Sequence, residues 1–272
     1  MGLLSFMVLS LTVLLLAANS FPPAVDEAQL KNLVSQVLNL YRPTYEFNNS
    51  MKTPMFSVVA RIPFNSETNQ YDINQVTDDA NNVKDTIVGC EVYTGTNILA
   101  ATVLRWPDVV AQCPDGRVQW PIRSQATTWA EAYCQNTRSF NEGRAEHAEY
   151  RILQNLHTWL NNQNMGQDLL LFYAYASPCT ATCTNRDSDY NILSPLTGYV
   201  EFNIVFVFSK VHQPRNDIIS PDVLQDALKN LGETIGLDRI FRCDRVNGRM
   251  KCVNCNDNEN VVDVDVDSIY CH

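Results

Sequence analysis

Beyond residue 20 the sequence has no long apolar run, and nowhere does it hold a dense cluster of Lys and Arg. The first absence excludes a membrane span in the body of the chain, because a spanning helix needs about 20 apolar residues. The second disfavours a protein that grips nucleic acid across a broad basic face, since each phosphate contact asks for a cation. The nearest approach to a basic cluster is Arg242, Arg245, Arg249 and Lys251. With 20 basic against 30 acidic residues the net charge is −10, which leaves room only for a local positive groove. No internal repeat is present, and histidine is scarce, at four residues. Cysteine is not scarce, but its count of nine is odd, so at least one thiol does something other than pair within the chain.

What is there begins with GLLSFMVLSLTVLLLAANS, an uncharged apolar segment ending in small residues. It is shorter than a membrane span and reads as a signal peptide over residues 1–20, cleaved after Ser20, with only the terminal amine for positive charge. The expected mature chain of 252 residues is secreted and soluble, and is long enough for one large domain or two small ones. Asn48-Asn49-Ser50 is an N-glycosylation acceptor at Asn48, in keeping with the secretory reading.

Helical spacing of Leu30, Leu33, Val34, Val37 and Leu38 predicts a helix from Val25 to Tyr41. Residues 56–63 read as a strand and 65–85 as a polar connection with a short helix. TIVGCEVYT (86–94) and ILAATVLRW (98–106) read as two strands of an antiparallel hairpin turning at Gly95-Thr96-Asn97. A long irregular stretch, 107–144, carries several Pro, two Trp and one helical patch, TTWAEAYC. Residues 145–162 predict a strong helix, and DLLLFYAYA (168–176) a strand buried on both faces. Then come a strand over 199–211, a helix over 221–232 stopped by Gly232, and a strand over 235–243. That order implies a parallel strand pair joined by a crossover helix. VVDVDVDSIY (261–270) alternates, placing Asp263, Asp265 and Asp267 on one face of an edge strand, without the ligand loop a calcium site needs.

Two short patterns bracket the buried strand. His147-Ala148-Glu149 opens one helix, and Pro178-Cys179-Thr-Ala-Thr-Cys183 opens what reads as the next, with 28 residues between Glu149 and Pro178. Zinc prefers imidazole and thiolate ligands, and a catalytic site keeps three protein ligands with a fourth position open. Thiols at a helix N-terminus favour the thiolate. Cys179 and Cys183, four residues apart, share a helix face on which a direct disulfide is awkward. Against this stands the plainer reading, in which both join separate disulfides and His147 is a surface histidine.

H-x-E followed by P-C and a second nearby Cys resembles the zinc-dependent nucleobase deaminases, most closely the AID/APOBEC-like branch with its secreted vertebrate members. The resemblance spans roughly residues 57–245. It implies a three-layer α-β-α fold around a mixed five-stranded sheet, its last two core strands parallel through a crossover helix. It also implies Zn²⁺ held by His147, Cys179 and Cys183, with Glu149 as the proton shuttle. The Cys pair has three intervening residues where the commonest pattern has two, and Ala176 stands where relatives often carry Trp before Ser177. Tyr175, Tyr173 or Trp129 are candidates for the missing stacking wall, with a core role the competing reading. Asn141, Ser177 and Tyr175 are candidate substrate contacts.

Of the remaining cysteines, Cys243, Cys252, Cys255 and Cys271 suit two disulfides or a structural zinc knot, and Cys90, Cys113 and Cys134 allow one bridge with one thiol left over. His157 and His212 read as solvated or structural. The expected organisation is a deaminase-like domain over 21–245 and a Cys-rich acidic extension over 246–272. The expected function is conversion of cytosine to uracil in single-stranded DNA or RNA, with a role in defence against foreign nucleic acid implied by the resemblance alone. Alternatives are a deaminase of free nucleosides or bases, and a catalytically silent zinc-containing binding protein.

Overall fold

A computed structural model of the chain describes residues 25–120, 125–135, 143–161, 165–214, 218–256 and 269–271. The expected signal peptide, Asn141 and most of the alternating tail, with Asp263, Asp265 and Asp267, lie outside the described residues. The main elements are α1 (Glu27–Tyr41), β1 (Phe56–Ile62), α2 (Ala80–Val88), β2 (Tyr93–Thr94), β3 (Ile98–Thr102), α3 (Ala148–Asn161), β4 (Leu169–Ala176), β5 (Ile204–Lys210), α4 (Pro221–Ile235), β6 (Ile240–Val246) and β7 (Arg249–Asn254).

The apolar run of β4 explains the architecture. Successive strand side chains point to opposite faces, so Leu170, Phe172 and Ala174 pack under α3 and α4, and Leu169, Leu171 and Tyr173 pack under α1 and α2. The sheet is therefore the middle layer of an α-β-α sandwich, in strand order β7-β6-β5-β4-β1-β3-β2. β4 runs parallel to β5, and β5 parallel to β6 with α4 as the crossover; β1, β3 and β7 run antiparallel to their neighbours. The mixed sheet and its parallel pair match the expected α/β fold, but there are seven strands, because β7 and the two-residue β2 extend the five at either edge.

Several boundaries differ from expectation. The first third of TIVGCEVYT belongs to α2, capped by the Asp79 carboxylate, and only Tyr93–Thr94 forms a strand. Its apolar residues Val83 and Ile87 are four apart, a helical spacing that the β-branched residues disguise. Within 199–211 the strand begins only at Ile204, after a 3-10 turn at Thr197–Tyr199. α4 runs through Gly232, where the close approach of Leu237 leaves little space for a side chain, and ends at Gly236 with φ +94°. A 3-10 turn at Leu237–Arg239 then delays β6 to Ile240. Residues 145–146 pair with Leu104–Arg105 as a short strand, so α3 starts at Ala148.

Three disulfides are present: Cys90–Cys113, Cys243–Cys252 and Cys255–Cys271. The C-terminal four cysteines thus form bridges and not a zinc knot, and Cys134 is the leftover thiol, exposed. Cys243 and Cys252 face each other across β6 and β7. Cys90–Cys113 staples the irregular insert, whose small core packs Trp120 edge-on against Trp129. Trp129 opens a short helix, Trp129–Cys134, under a Thr128/Glu131 capping box, and it is fully buried. Arg151 of α3 reaches this insert, donating to the carbonyls of Cys90 and Thr102. Asn48 sits exposed with φ +51° at the tip of a hairpin formed by Tyr45–Phe47 and Ser50–Lys52.

Asp78 fastens α1 to the β2–β3 turn. Its carboxylate accepts from the Thr96 and Asn97 amides and from the Tyr93 hydroxyl, and its carbonyl accepts from Tyr41. Burial first, and then the Asp78 charge, raise the Tyr41 pKa from 10.0 to about 12; burial and the Asp78 hydrogen bond do the same for Tyr93. A raised phenol pKa contributes stability that is full below the unfolded value and lost as pH rises through the folded one. Resistance to urea is therefore expected to fall between pH 10 and about 12. A Tyr41→Phe/Tyr93→Phe protein should show a visibly shallower fall; an identical pH profile would refute this assignment.

Candidate metal centre

The site forms where β4 leaves the sheet. The last rung of the parallel pair joins Ala176 to Lys210, and the Ser177 amide then donates to the Lys210 carbonyl at 2.7 Å. Pro178 and Cys179 follow immediately, so the sheet sets where Cys179 stands. The expected helix is absent here: residues 180–184 form a turn, closed by the Thr184 amide on the Cys179 carbonyl at 3.1 Å. The physical reason lies in TATCTN, where three threonines disfavour helix and their hydroxyls compete for backbone and sulfur groups. Thr182 Oγ1 contacts Cys179 Sγ at 2.6 Å, and Thr184 Oγ1 donates to the Cys179 carbonyl. The turn brings Cys183 back so that its amide donates to Cys179 Sγ and the two sulfurs lie 3.3 Å apart. The extra residue between the cysteines is absorbed in this turn.

His147 arrives from the other side. The short pairing of 104–105 with 145–146 carries the chain to it, and its carbonyl accepts the Arg151 amide, making it the residue that precedes α3. Its backbone is thus outside the helix, which lets His147 and Glu149 serve one site although residues two apart on a helix diverge. His147 Nδ1 lies 3.2 Å from Cys183 Sγ, and Nε2 lies 4.0 Å from Cys179 Sγ. Donor atoms of His147, Cys179 and Cys183 all fall within 4.8 Å of one another. Two ligands on a tetrahedral zinc sit about 3.5–3.8 Å apart, given its bond lengths to N and S. The imidazole-dithiolate set and its spacing therefore fit a metal ion of this kind.

The electrostatics agree with a shared centre. Contact between the two sulfurs, opposed by burial and aided by His147, drives Cys179 strongly toward the thiolate, while that contact and burial push Cys183 up. Burial alone would lower the His147 pKa, but contact with Cys179 and the Glu149 charge outweigh it, and the net direction is up. Glu149 is buried in the first turn of α3, and burial raises its pKa against the pull of His147. A carboxyl whose charged form burial disfavours is suited to take up a proton and hand it on.

A small cavity of about 60 Å³ opens beside Glu149, walled by His147, Phe56, Tyr175, Ala176, Arg105 and His212 among others. Of the expected substrate contacts, Tyr175 lines this space, whereas Ser177 is buried and its Oγ accepts the His212 amide at 2.9 Å. Tyr173 and Trp129 are core residues and supply no wall. Sequence reasoning missed Arg105 and assigned His212 to structure or solvent. The imidazole of His212 lies 6.4 Å from that of His147, ring centre to ring centre. Its position just beyond β5 was the available signal, because ligands gather at the carboxyl ends of parallel strands. His157, by contrast, sits on the exposed side of α3 against Asn161.

A comparison with curated proteins and one with solved structures each return no match. A family description does match: Secreted Novel AID/APOBEC-like Deaminase 1, over residues 129–265. That span holds His147, Glu149, Cys179 and Cys183 together with α3, α4 and strands β4 to β7. The chain belongs to the Secreted Novel AID/APOBEC-like Deaminase 1 family.

Proposed function

We propose that the protein is a secreted, zinc-dependent nucleobase deaminase that converts cytosine to uracil in single-stranded DNA or RNA, with foreign nucleic acid as the target. The observation that carries this reading is the convergence of donor atoms of His147, Cys179 and Cys183 within 4.8 Å, with the buried Glu149 lining a cavity that His147 also lines. The three disulfides suit an oxidising, extracellular setting.

When bound by the imidazole and the two sulfurs, zinc supplies a Lewis acid that makes water a nucleophile near neutral pH. The chain's own part is to position and to move protons. Glu149 takes a proton from the attacking water and delivers it to the ring nitrogen of the base. Water's oxygen bonds to the ring carbon that bears the amine, and the carbon–nitrogen bond then breaks. Glu149 passes the second proton to the departing amine, so ammonia leaves and the ring keeps a carbonyl. Burial of Glu149 favours its protonated form, so it can hold the proton between the two transfers. Phe56, Tyr175 and His212 line the cavity beside Ala176, which carries no ring.

The net charge of −10 favours a second reading, deamination of free nucleosides or bases, which need no phosphate contacts. A silent zinc-binding protein would have no use for a buried Glu149. A substrate panel separates these readings: cytosine-containing oligonucleotides and free cytidine, with ammonia and uracil as the products measured. No release from either, with one zinc bound per chain, would remove both enzyme readings. Glu149→Ala is expected to keep its zinc and lose at least about 100-fold in turnover; an unchanged rate would sink the shuttle role. His147→Ala or Cys183→Ala should purify with well under one zinc per chain. Full zinc content in both would show that the metal is held elsewhere.

A further inference from the structure

The buried hydroxyls of serine and threonine are, with one exception, bonded within the protein. Thr102 donates to the Ile87 carbonyl, Thr184 to the Cys179 carbonyl and Thr234 to the Asn230 carbonyl. Ser177 accepts the His212 amide, and Ser209 bonds both the Tyr173 hydroxyl and the Cys243 carbonyl. Ser57 is the exception. Its residue is 1 % exposed, and its Oγ has no hydrogen-bond partner among the described residues. Buried polar groups are nearly always paired, so an unpaired one calls for a reason.

The reason lies in where Ser57 stands. It lines the cavity beside Glu149. On β1 it sits between Ala101 of β3 and Ala174 of β4. Strand alternation puts it on the face of Val59, the face covered by α3, whose first turn carries Glu149. Neither alanine reaches past a methyl group or offers a polar atom, so the strands beside Ser57 leave its hydroxyl open. β1 runs antiparallel to β4, and Ser57 is opposite Ala174, so it lies one inward-facing position deeper than Ala176. The cavity, at about 60 Å³, is far below the roughly 300 Å³ and more of a site that encloses a whole ligand of nucleoside size. Only the inner edge of a ring enters it. Glu149 serves the ring nitrogen and the amine, so that inner edge is the one that bears the amine.

We propose that Ser57 is a further catalytic residue: its hydroxyl accepts a hydrogen bond from the exocyclic amine of the bound base and stays with the nitrogen as it departs. This rests on the deaminase reading. The carbon–nitrogen bond breaks with its electron pair going to nitrogen. Ammonia then leaves with the two hydrogens of the amine and the proton handed over by Glu149, and Ser57 neither gains nor loses an atom. A hydroxyl suits both stages, because it accepts from an amine N–H and donates to the lone pair of ammonia. Left without a partner by the fold, it gains one when the base arrives, so its burial favours the loaded site.

The test compares zinc-loaded Ser57→Ala with the parent on the substrate that the parent turns over, a single-cytosine oligonucleotide or cytidine. The variant's kcat/KM is expected to fall at least about 10-fold, the cost of leaving the amine unpaired. Zinc should stay at one per chain. The melting temperature should be no lower than the parent's, because alanine removes a hydroxyl that had no partner in the fold. Equal kcat/KM in the two proteins would overturn the proposal and leave the deaminase reading intact. A loss of rate that came with a lower melting temperature or a lower zinc content would also overturn it, since the hydroxyl would then be holding structure. No turnover of either substrate by the parent removes the deaminase reading itself, and the role of Ser57 with it.

Discussion

One backbone hydrogen bond, from the Ser177 amide to the Lys210 carbonyl, fixes the point at which the central strand leaves the sheet. It continues the parallel ladder of β4 and β5 by one residue, so Cys179 inherits its place from the packed core. The Ser177 hydroxyl then accepts the His212 amide, tying the exit of β5 to the same point. Two neighbouring strand ends are locked together, and the start of α3 is brought against them by the short pairing at 104–105 and 145–146. A site assembled this way is held by main-chain bonds and buried strands. The donor atoms of His147, Cys179 and Cys183 are thereby positioned by the fold itself, which is what preorganisation requires.

Much of this was legible in the residues. LLLFYAYA alternates its side chains between two apolar layers, and a strand that is apolar on both faces has to be central. H-x-E and P-C-x3-C are short, but they bracket that strand, and the fold brings them together. What the sequence concealed were local competitions. Val83 and Ile87 share a helix face, yet the β-branched run around them looks extended. TATCTN starts after a proline as a helix would, but its hydroxyls take bonds that a helix would need. Gly232 resembles a helix stop and is instead a contact point for Leu237, a tertiary demand that no local pattern announces. Arg105 and His212 reach the cavity through the same long-range geometry. Disulfide partners were also undetermined by spacing, since four cysteines allow three pairings.

The charge distribution sharpens what composition alone suggested. An acidic chain is a poor candidate for broad adhesion to polyanions. Its cations are used singly. Arg151 is buried and bonded to carbonyls, Arg61 is paired with Asp168 at 2.7 Å, and Arg144 covers the Trp120 ring. At the carboxyl end of the central strands Arg42, Lys210 and Arg245 line one cavity with a single acid, Asp244.

The 3.3 Å between Cys179 and Cys183 has a consequence for their oxidation. Six other cysteines are paired as cystines, while these two stand side by side unpaired. The Thr182 hydroxyl lies against Cys179 and the imidazole of His147 against Cys183, so each sulfur already has a neighbour other than its twin. Under the zinc-dependent reading proposed above, an ion held by both thiolates would also keep them from closing into a fourth bridge, so the group that supplies the chemistry would protect the place that holds it.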